Sequence, residues 1–123
     1  MPGHLVKWTG RRVRARAGVV PQVGLDDPAL APRTAAGASR NGRRLYLVTV
    51  DGRSAKSVGL RTKEVAEMMR KLGADDALNL DGGGSSTLVA REPGKQDVTV
   101  QNVPSDGSQR RVATGIGIFS SGV

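Results

Sequence analysis

Thr34-Ala35-Ala36-Gly37-Ala38-Ser39 and Arg44-Leu45-Tyr46-Leu47-Val48-Thr49-Val50, joined through Arg40-Asn41-Gly42-Arg43, set the framework of this chain. The first run is short and built of small residues, which suits a strand that must lie close to a neighbour. The second carries Leu45, Leu47, Val48 and Val50, so it reads as a strand buried over much of both faces. Between them, Asn41-Gly42 is the dipeptide favoured where a type I′ hairpin needs two positive φ values. The pair is therefore expected to form an antiparallel hairpin.

Downstream, Thr62 to Gly73 has the pattern of a helix. Val65, Met68, Met69 and Leu72 fall at i, i+3, i+4 and i+7 and make one apolar stripe. Lys63, Glu67, Arg70 and Lys71 take the opposite side, and Glu67 to Lys71 is a favourable i,i+4 pair. Thr62 is placed to cap the start, Glu64 suits the first turn, and Gly73 suits the terminator. The methionines read as core packing.

Working outward, residues 4–8 and 12–20 read as strands about a Thr9-Gly10 turn, and 21–33, with Pro21, Pro28 and Pro32, as a surface loop. After the helix come a strand at Ala77–Leu80, a tight loop at Asp81–Ser85 and a strand at Ser86–Arg91. A Pro93-Gly94 turn, a strand near Asp97–Val103, a loop at Pro104–Ser108 and a last strand at Val112–Phe119 complete the chain. Many strands around one principal helix near residues 62–72 indicate an α+β fold with a mixed, mainly antiparallel sheet. At 123 residues the chain is expected to be a single domain, 1–123.

Composition narrows the chemistry. Nineteen Lys and Arg against eleven Asp and Glu give a net charge of +8, which favours anionic partners. The densest basic run, Arg11, Arg12, Arg14 and Arg16, alternates with Val13, Ala15 and Ala17 as an edge strand would. No aromatic residue interleaves with it, so a stacking platform for nucleic acid is not indicated. There is no Cys, and His4 is the only His, which argues against thiolate chemistry, a Ser-His-Asp triad or a His-built metal site. No apolar run approaches the roughly 18 residues of a bilayer span, and no signal peptide is visible at the start.

Asp81-Gly82-Gly83-Gly84-Ser85-Ser86 is the most informative segment. Three consecutive glycines cost conformational entropy, and what they offer in exchange is close approach of a ligand to backbone N–H groups. The run lacks the Lys-Ser/Thr ending of a P-loop, the G-x-G-x-x-G spacing, and a Ser centred in G-x-S-x-G. Three further stretches have the right character: Arg33-Thr34, Asp51-Gly52-Arg53, and Asn102 to Gly107 with Arg110. Guanidinium groups beside a glycine loop suit phosphate, because the planar fork binds two oxygens at once. Asp and Asn in the same place suit sugar hydroxyls. Glu64, Glu67 and Glu92 fall on the helix surface or in a turn and make poor catalytic acids.

The series Arg33-Thr34-Ala35, Leu47 to Arg53, the helix, Leu78-Asn79-Leu80-Asp81-Gly82-Gly83-Gly84-Ser85-Ser86-Thr87, Asn102-x-Pro104-Ser105-Asp106-Gly107 and Ile116-Gly117-Ile118-Phe119 resembles the phosphodiester glycosidase family. The likeness covers about residues 31–119 and the C-terminal part of that family's domain. It implies hydrolysis of a sugar-1-phosphodiester of the α-N-acetylglucosamine type, releasing free sugar and a phosphomonoester. The alternative is a sugar-phosphate or carbohydrate-binding module without turnover. Carried onto this sequence, the catalytic candidates are Asp51, Asp81 and Arg53. Substrate-binding candidates are Arg33, Thr34, Gly83, Gly84, Ser85, Asn102, Ser105, Asp106 and Arg110. Arg33, Arg53 and Arg110 would clamp the phosphodiester, Gly83-Gly84-Ser85 would hold its oxygens, and Asp81 and Asp51 would orient sugar or water. No cofactor or metal is expected, with a divalent cation left open. Neither nucleic acid nor membrane insertion is expected, and exposed strand edges would favour a homo-oligomer. The resemblance also points to a bacterial, exopolysaccharide-associated type and an extracytoplasmic or secreted home.

Overall fold

The computed structural model describes residues 3–9 and 27–119. The expected strand at 12–20, the glycine of the Thr9-Gly10 turn and the first part of the proline loop lie outside these residues. The elements are β1 (Gly3–Thr9), β2 (Arg33–Ala38), β3 (Arg44–Val50), α1 (Thr62–Leu72), β4 (Asp76–Asn79), a single 3-10 turn (Gly83–Ser85), β5 (Val89–Arg91) and β6 (Val98–Val100). One sheet has the order β1-β3-β2-β4 and a second pairs β5 with β6, each pairing antiparallel. The α+β class is as read from the sequence, with every described pairing antiparallel.

Register decides which side of the larger sheet is covered. Arg33 pairs with Val50, Ala35 with Val48 and Gly37 with Tyr46. Residues opposite one another share a face, so these six lie together, and α1 lies on them. The core is Ala35, Tyr46, Val48 and Val50 from the strands with Val65 and Met69 from the helix and Ala74 beyond it. Met68 and Leu72 pack at its margin, which completes the expected stripe. The run of small residues in β2 has a steric cause. A Cβ at Gly37 would lie 2.7 Å from Met69 Cε and 2.9 Å from the Asp76 carbonyl, so only glycine lets the helix sit this close.

The hairpin between β2 and β3 forms, but not through a type I′ turn. Gly42 has φ 67 while Asn41 does not enter the positive region. The Gly42 N–H donates to Ser39 O at 2.8 Å, and the Ser39 N–H to Arg44 O at 3.0 Å, leaving four residues in the loop. Asn41 works through its side chain instead, accepting from Ser39 Oγ at 2.8 Å and from the Arg43 N–H at 3.1 Å. That side-chain turn competes successfully with the tighter backbone one.

The helix begins at Thr62 with Arg61 as the capping position, so Thr62 is not the cap expected from the sequence. Glu64 reaches back to accept from the Arg61 N–H at 2.7 Å, the bond that an acidic residue at the third helical position makes in a capping box. Thr62 Oγ1 accepts from the Asp27 N–H at 3.0 Å, a long-range tie. At the other end Gly73 has φ 104, and bonds from Gly73 N to Arg70 O and from Ala74 N to Met69 O close the last turn.

The strand after the helix has the expected length, one residue earlier than read, and the strands beyond it are shorter than expected. The Ser86 N–H turns back to Gly83 O at 3.1 Å and the Leu88 N–H goes to the Asn102 side chain, so β5 starts only at Val89. Asn102 and Val103 are likewise drawn to Asp51, which ends β6 early. The expected last strand, Val112–Phe119, does not form. Its backbone makes no ladder with any described strand, and its residues are exposed, Phe119 at 93%.

Arg33 holds the entry to β2. Its Nε donates to Leu60 O at 2.8 Å, and Nη2 donates to Ala29 O at 2.6 Å and to Asp27 Oδ2 at 3.0 Å. These bonds tie the segment before β2 to the segment before α1, beside the Ala31–Leu60 bridge. The Ala29 N–H, and then the Arg33 guanidinium, hold the Asp27 carboxyl below its ordinary value of 3.8. A depressed carboxyl contributes stability above its unfolded value and loses it as pH falls through the folded one. The wild type should therefore exceed Asp27→Asn in urea stability by a steady margin above about pH 5, with the margin closing below about pH 4. An unchanging margin from neutral pH down to acid would contradict this.

Candidate active site

The buried tip of β3 organises the loops around it. Asp51 is 4% exposed, and its Oδ1 accepts from Asn102 Nδ2 at 3.2 Å and from the Val103 N–H at 3.0 Å. Its own carbonyl accepts from Ser57 Oγ at 2.6 Å. Asn102, also buried, uses both ends of its amide. Nδ2 donates to Ser86 O at 2.8 Å as well as to Asp51, and Oδ1 accepts from the Leu88 N–H at 2.8 Å. Thr34 Oγ1 donates to Ser86 Oγ at 3.1 Å from the neighbouring strand. Three chain segments, at residues 51, 86–88 and 102–103, are thereby joined through one polar knot.

The knot sets the glycine loop between two guanidiniums. Gly83 has φ 59, a value that L side chains avoid, and a Cβ there would lie 3.3 Å from both Nη1 and Nη2 of Arg53. A Cβ at Gly84 would run into Arg110 Nη2 and the Asp106 carboxylate. The backbone itself therefore meets Arg53 on one side and the Asp106–Arg110 pair on the other. Arg110 Nε and Nη2 both donate to Asp106 Oδ2, at 2.9 and 2.7 Å. Arg53 has φ 54, the one non-glycine positive φ among the described residues. Such a backbone persists only where its surroundings hold it, and it clusters at functional positions.

Of the loop amides, Gly83 N–H donates to Pro32 O at 2.9 Å, Ser85 N–H to Gly82 O at 3.2 Å and Ser86 N–H to Gly83 O. The Gly84 N–H is left without a protein acceptor among the described residues. The nest expected over Gly83-Gly84-Ser85 is thus narrowed to the one amide left unbonded, that of Gly84, a buried residue beside two guanidiniums.

Next to the loop, on the sheet face away from α1, runs a cleft of about 570 Å³. Thr34, Leu47 and Thr49 form its floor, and Asp81, Ser85 and Arg110 stand at its polar side. Asp81 is exposed there. Thr49 Oγ1 and Ser105 Oγ are buried without hydrogen-bond partners among the described residues.

Ser105 apart, the sequence candidates thus divide into three groups. Arg53, Asp81, Gly83, Gly84, Ser85, Asp106 and Arg110 gather at the loop and the adjoining cleft. Asp51, Asn102 and the Thr34 hydroxyl belong to the knot that carries them. Arg33 lies on the helix side of the sheet, with its guanidinium engaged at Asp27, Ala29 and Leu60. Sequence reasoning did not single out Thr49, and it included Ser86 in the glycine segment without making it a site candidate. Among the described residues no group of three or more His, Asp or Glu forms a metal-ligand cluster, and no helix is long and apolar enough to cross a membrane.

The family model for phosphodiester glycosidases matches residues 6–119. The chain belongs to the phosphodiester glycosidase family. It is 38% identical over 92 residues to the bovine (Bos taurus) N-acetylglucosamine-1-phosphodiester alpha-N-acetylglucosaminidase, covering 69% of this chain and 16% of that protein. To the Homo sapiens protein of the same name it is 38% identical over 80 residues, 65% of this chain and 14% of that one. It is equally 38% identical over 81 residues to the SPbeta prophage-derived uncharacterized protein YomE of Bacillus subtilis (strain 168), covering 66% of this chain and 12% of YomE. The chain therefore spans only a small part of the length of these relatives.

Removing the Asn102 side chain would leave the Asp51 carboxylate short of a donor and the Leu88 N–H without its acceptor. Asn102→Ala should lower unfolding free energy by about 1–3 kcal/mol, the usual cost of orphaning buried polar groups. Urea denaturation checks this, and a change within experimental error would show that the knot carries no such load.

Proposed function

We propose that the chain hydrolyses a sugar-1-phosphodiester of the N-acetylglucosamine type, with the phosphate held at Gly83-Gly84 between Arg53 and Arg110. Family membership supports the reaction class. The observation that carries the location is the approach of both guanidiniums to the bare backbone of Gly83 and Gly84. Guanidinium forks recognise phosphoryl oxygens in pairs, and the Gly84 N–H adds a donor from between them.

In the proposed reaction water adds at the anomeric carbon while the bond from that carbon to the bridging oxygen breaks. The oxygen leaves with phosphorus, so the products are free sugar and a phosphomonoester. Negative charge grows on the departing phosphate as the bond stretches, and Arg53 and Arg110 would stabilise it most at that stage. A phosphate leaving group needs less protonation than an alkoxide, so a raised-pKa carboxylic acid is not a requirement of the site. Asp81, at the polar side of the cleft, is the carboxylate available to orient water or to offset positive charge on the sugar. Asp51 acts at one remove, as a positioning residue for the loop through Asn102.

The second reading, a sugar-phosphate-binding module, draws on the short span shared with the relatives. The two are separated by following a synthetic N-acetylglucosamine-1-phosphodiester by phosphorus NMR. The expected result is conversion to the alkyl phosphomonoester, with Arg53→Ala and Asp81→Asn each slowed by about 10²–10³-fold. Saturable binding by folded protein without conversion would favour the binding module, and neither binding nor conversion would overturn both.

A further inference from the structure

The ion pair over Gly84 suggests how the site tells its substrate from its product, an inference that rests on the phosphate location proposed above. Arg110 does not present a free cation to the loop. Both its Nε and its Nη2 are engaged by one oxygen of Asp106, and the Asp106 carboxylate itself stands against the Gly84 α-carbon. Arg53, on the other side, has no carboxylate partner among the described residues. Asp81 adds a second exposed carboxylate on the same cleft as Arg110.

Counting only the groups placed against the two glycines, Arg53 and Arg110 contribute two positive charges and Asp106 one negative. The immediate charge is therefore +1, which matches a phosphodiester, a monoanion. Cleavage changes the ligand. The phosphomonoester carries an additional ionisable oxygen with a second pKa near 6, so at neutral pH and above it is mostly a dianion. A dianion placed at Gly84 puts its extra charge beside the Asp106 carboxylate, which cannot neutralise it and shares its donors.

We propose that Asp106 is a specificity-determining residue that makes the site prefer a phosphodiester monoanion over a phosphomonoester dianion, favouring substrate over product. The carboxylate does this through repulsion of the second charge and by keeping one face of Arg110 occupied. Its position also explains why Gly84 can bear no side chain: the space where a Cβ would stand belongs to the carboxylate and the guanidinium it holds.

The test uses the full chain with diethyl phosphate as monoanion and ethyl phosphate as dianion at pH 8, following the amide signals of residues 82–86 by NMR titration. Wild type should bind diethyl phosphate about five- to tenfold more tightly than ethyl phosphate, the scale expected of one extra like-charge contact at a half-exposed site. Asp106→Asn should tighten ethyl phosphate binding by a similar factor and diethyl phosphate, with half the charge, by only about two- to threefold, so that the preference shrinks. Asp106→Ser, which removes the charge in a smaller side chain, should do the same and covers the case in which the asparagine variant fails to fold. Equal or tighter binding of ethyl phosphate by wild type, or an unchanged ratio in the variants, would overturn the role of Asp106 alone. If neither compound perturbs the loop amides, the phosphate location itself is wrong, and the inference falls with it.

Discussion

A carboxylate buried at the end of a strand must find donors, and in this chain that requirement shapes the site. Asp51 meets Asn102 and the Val103 N–H, whose positions are 51 and 52 residues further along the sequence. Ionised groups removed from water without such partners are strongly destabilising, so the loop after β6 is held to the sheet by the same bonds that satisfy the carboxylate. Asn102 passes the constraint on to Ser86 O and the Leu88 N–H. The glycine loop is thereby fixed at its exit by a residue from the distant loop that also brings Asp106 and Arg110.

The remainder of the fold separates support from chemistry by the two faces of one sheet. On one face, α1 packs through Val65 and Met69 onto Ala35, Val48 and Val50, close enough that β2 needs a glycine beneath Met69. On the other lies the cleft beside the triple-glycine loop. Two arginines with similar sequence surroundings end in opposite employments because of this division. Arg33 shares the face of Val50 and is spent on three internal acceptors, whereas Arg53, just past the strand in a strained backbone, reaches the loop.

The parts of this arrangement legible in the sequence are those governed by local periodicity. The hairpin strands and the helix stripe follow from apolar spacing alone, and the glycine loop stood out because three glycines have no ordinary structural use. What escaped was decided by side chains bonding across long separations or back onto their own turn. Asn41 accepts two local donors and relaxes the turn that Asn-Gly would otherwise tighten. Arg61 takes the capping position from Thr62, whose hydroxyl is tied to Asp27. The alternating run from Val112 to Ile118 looks like a strand, but alternation supplies only a face, and a strand also needs an edge to pair with. Asp51 and Asp81 both precede a glycine after an apolar run, and nothing local distinguishes the buried brace from the exposed carboxylate.

The central claim is that the Asp51–Asn102 knot holds one anion site between Arg53 and Arg110. Its most direct test is a crystal structure of the chain with a non-hydrolysable phosphonate analogue of the sugar phosphodiester. The account predicts phosphonate oxygens within hydrogen-bonding reach of both guanidiniums and the Gly84 N–H, with the Asp51–Asn102 bond intact. An analogue seated away from the glycine loop, or a bound state in which Asn102 has left Asp51, would contradict it.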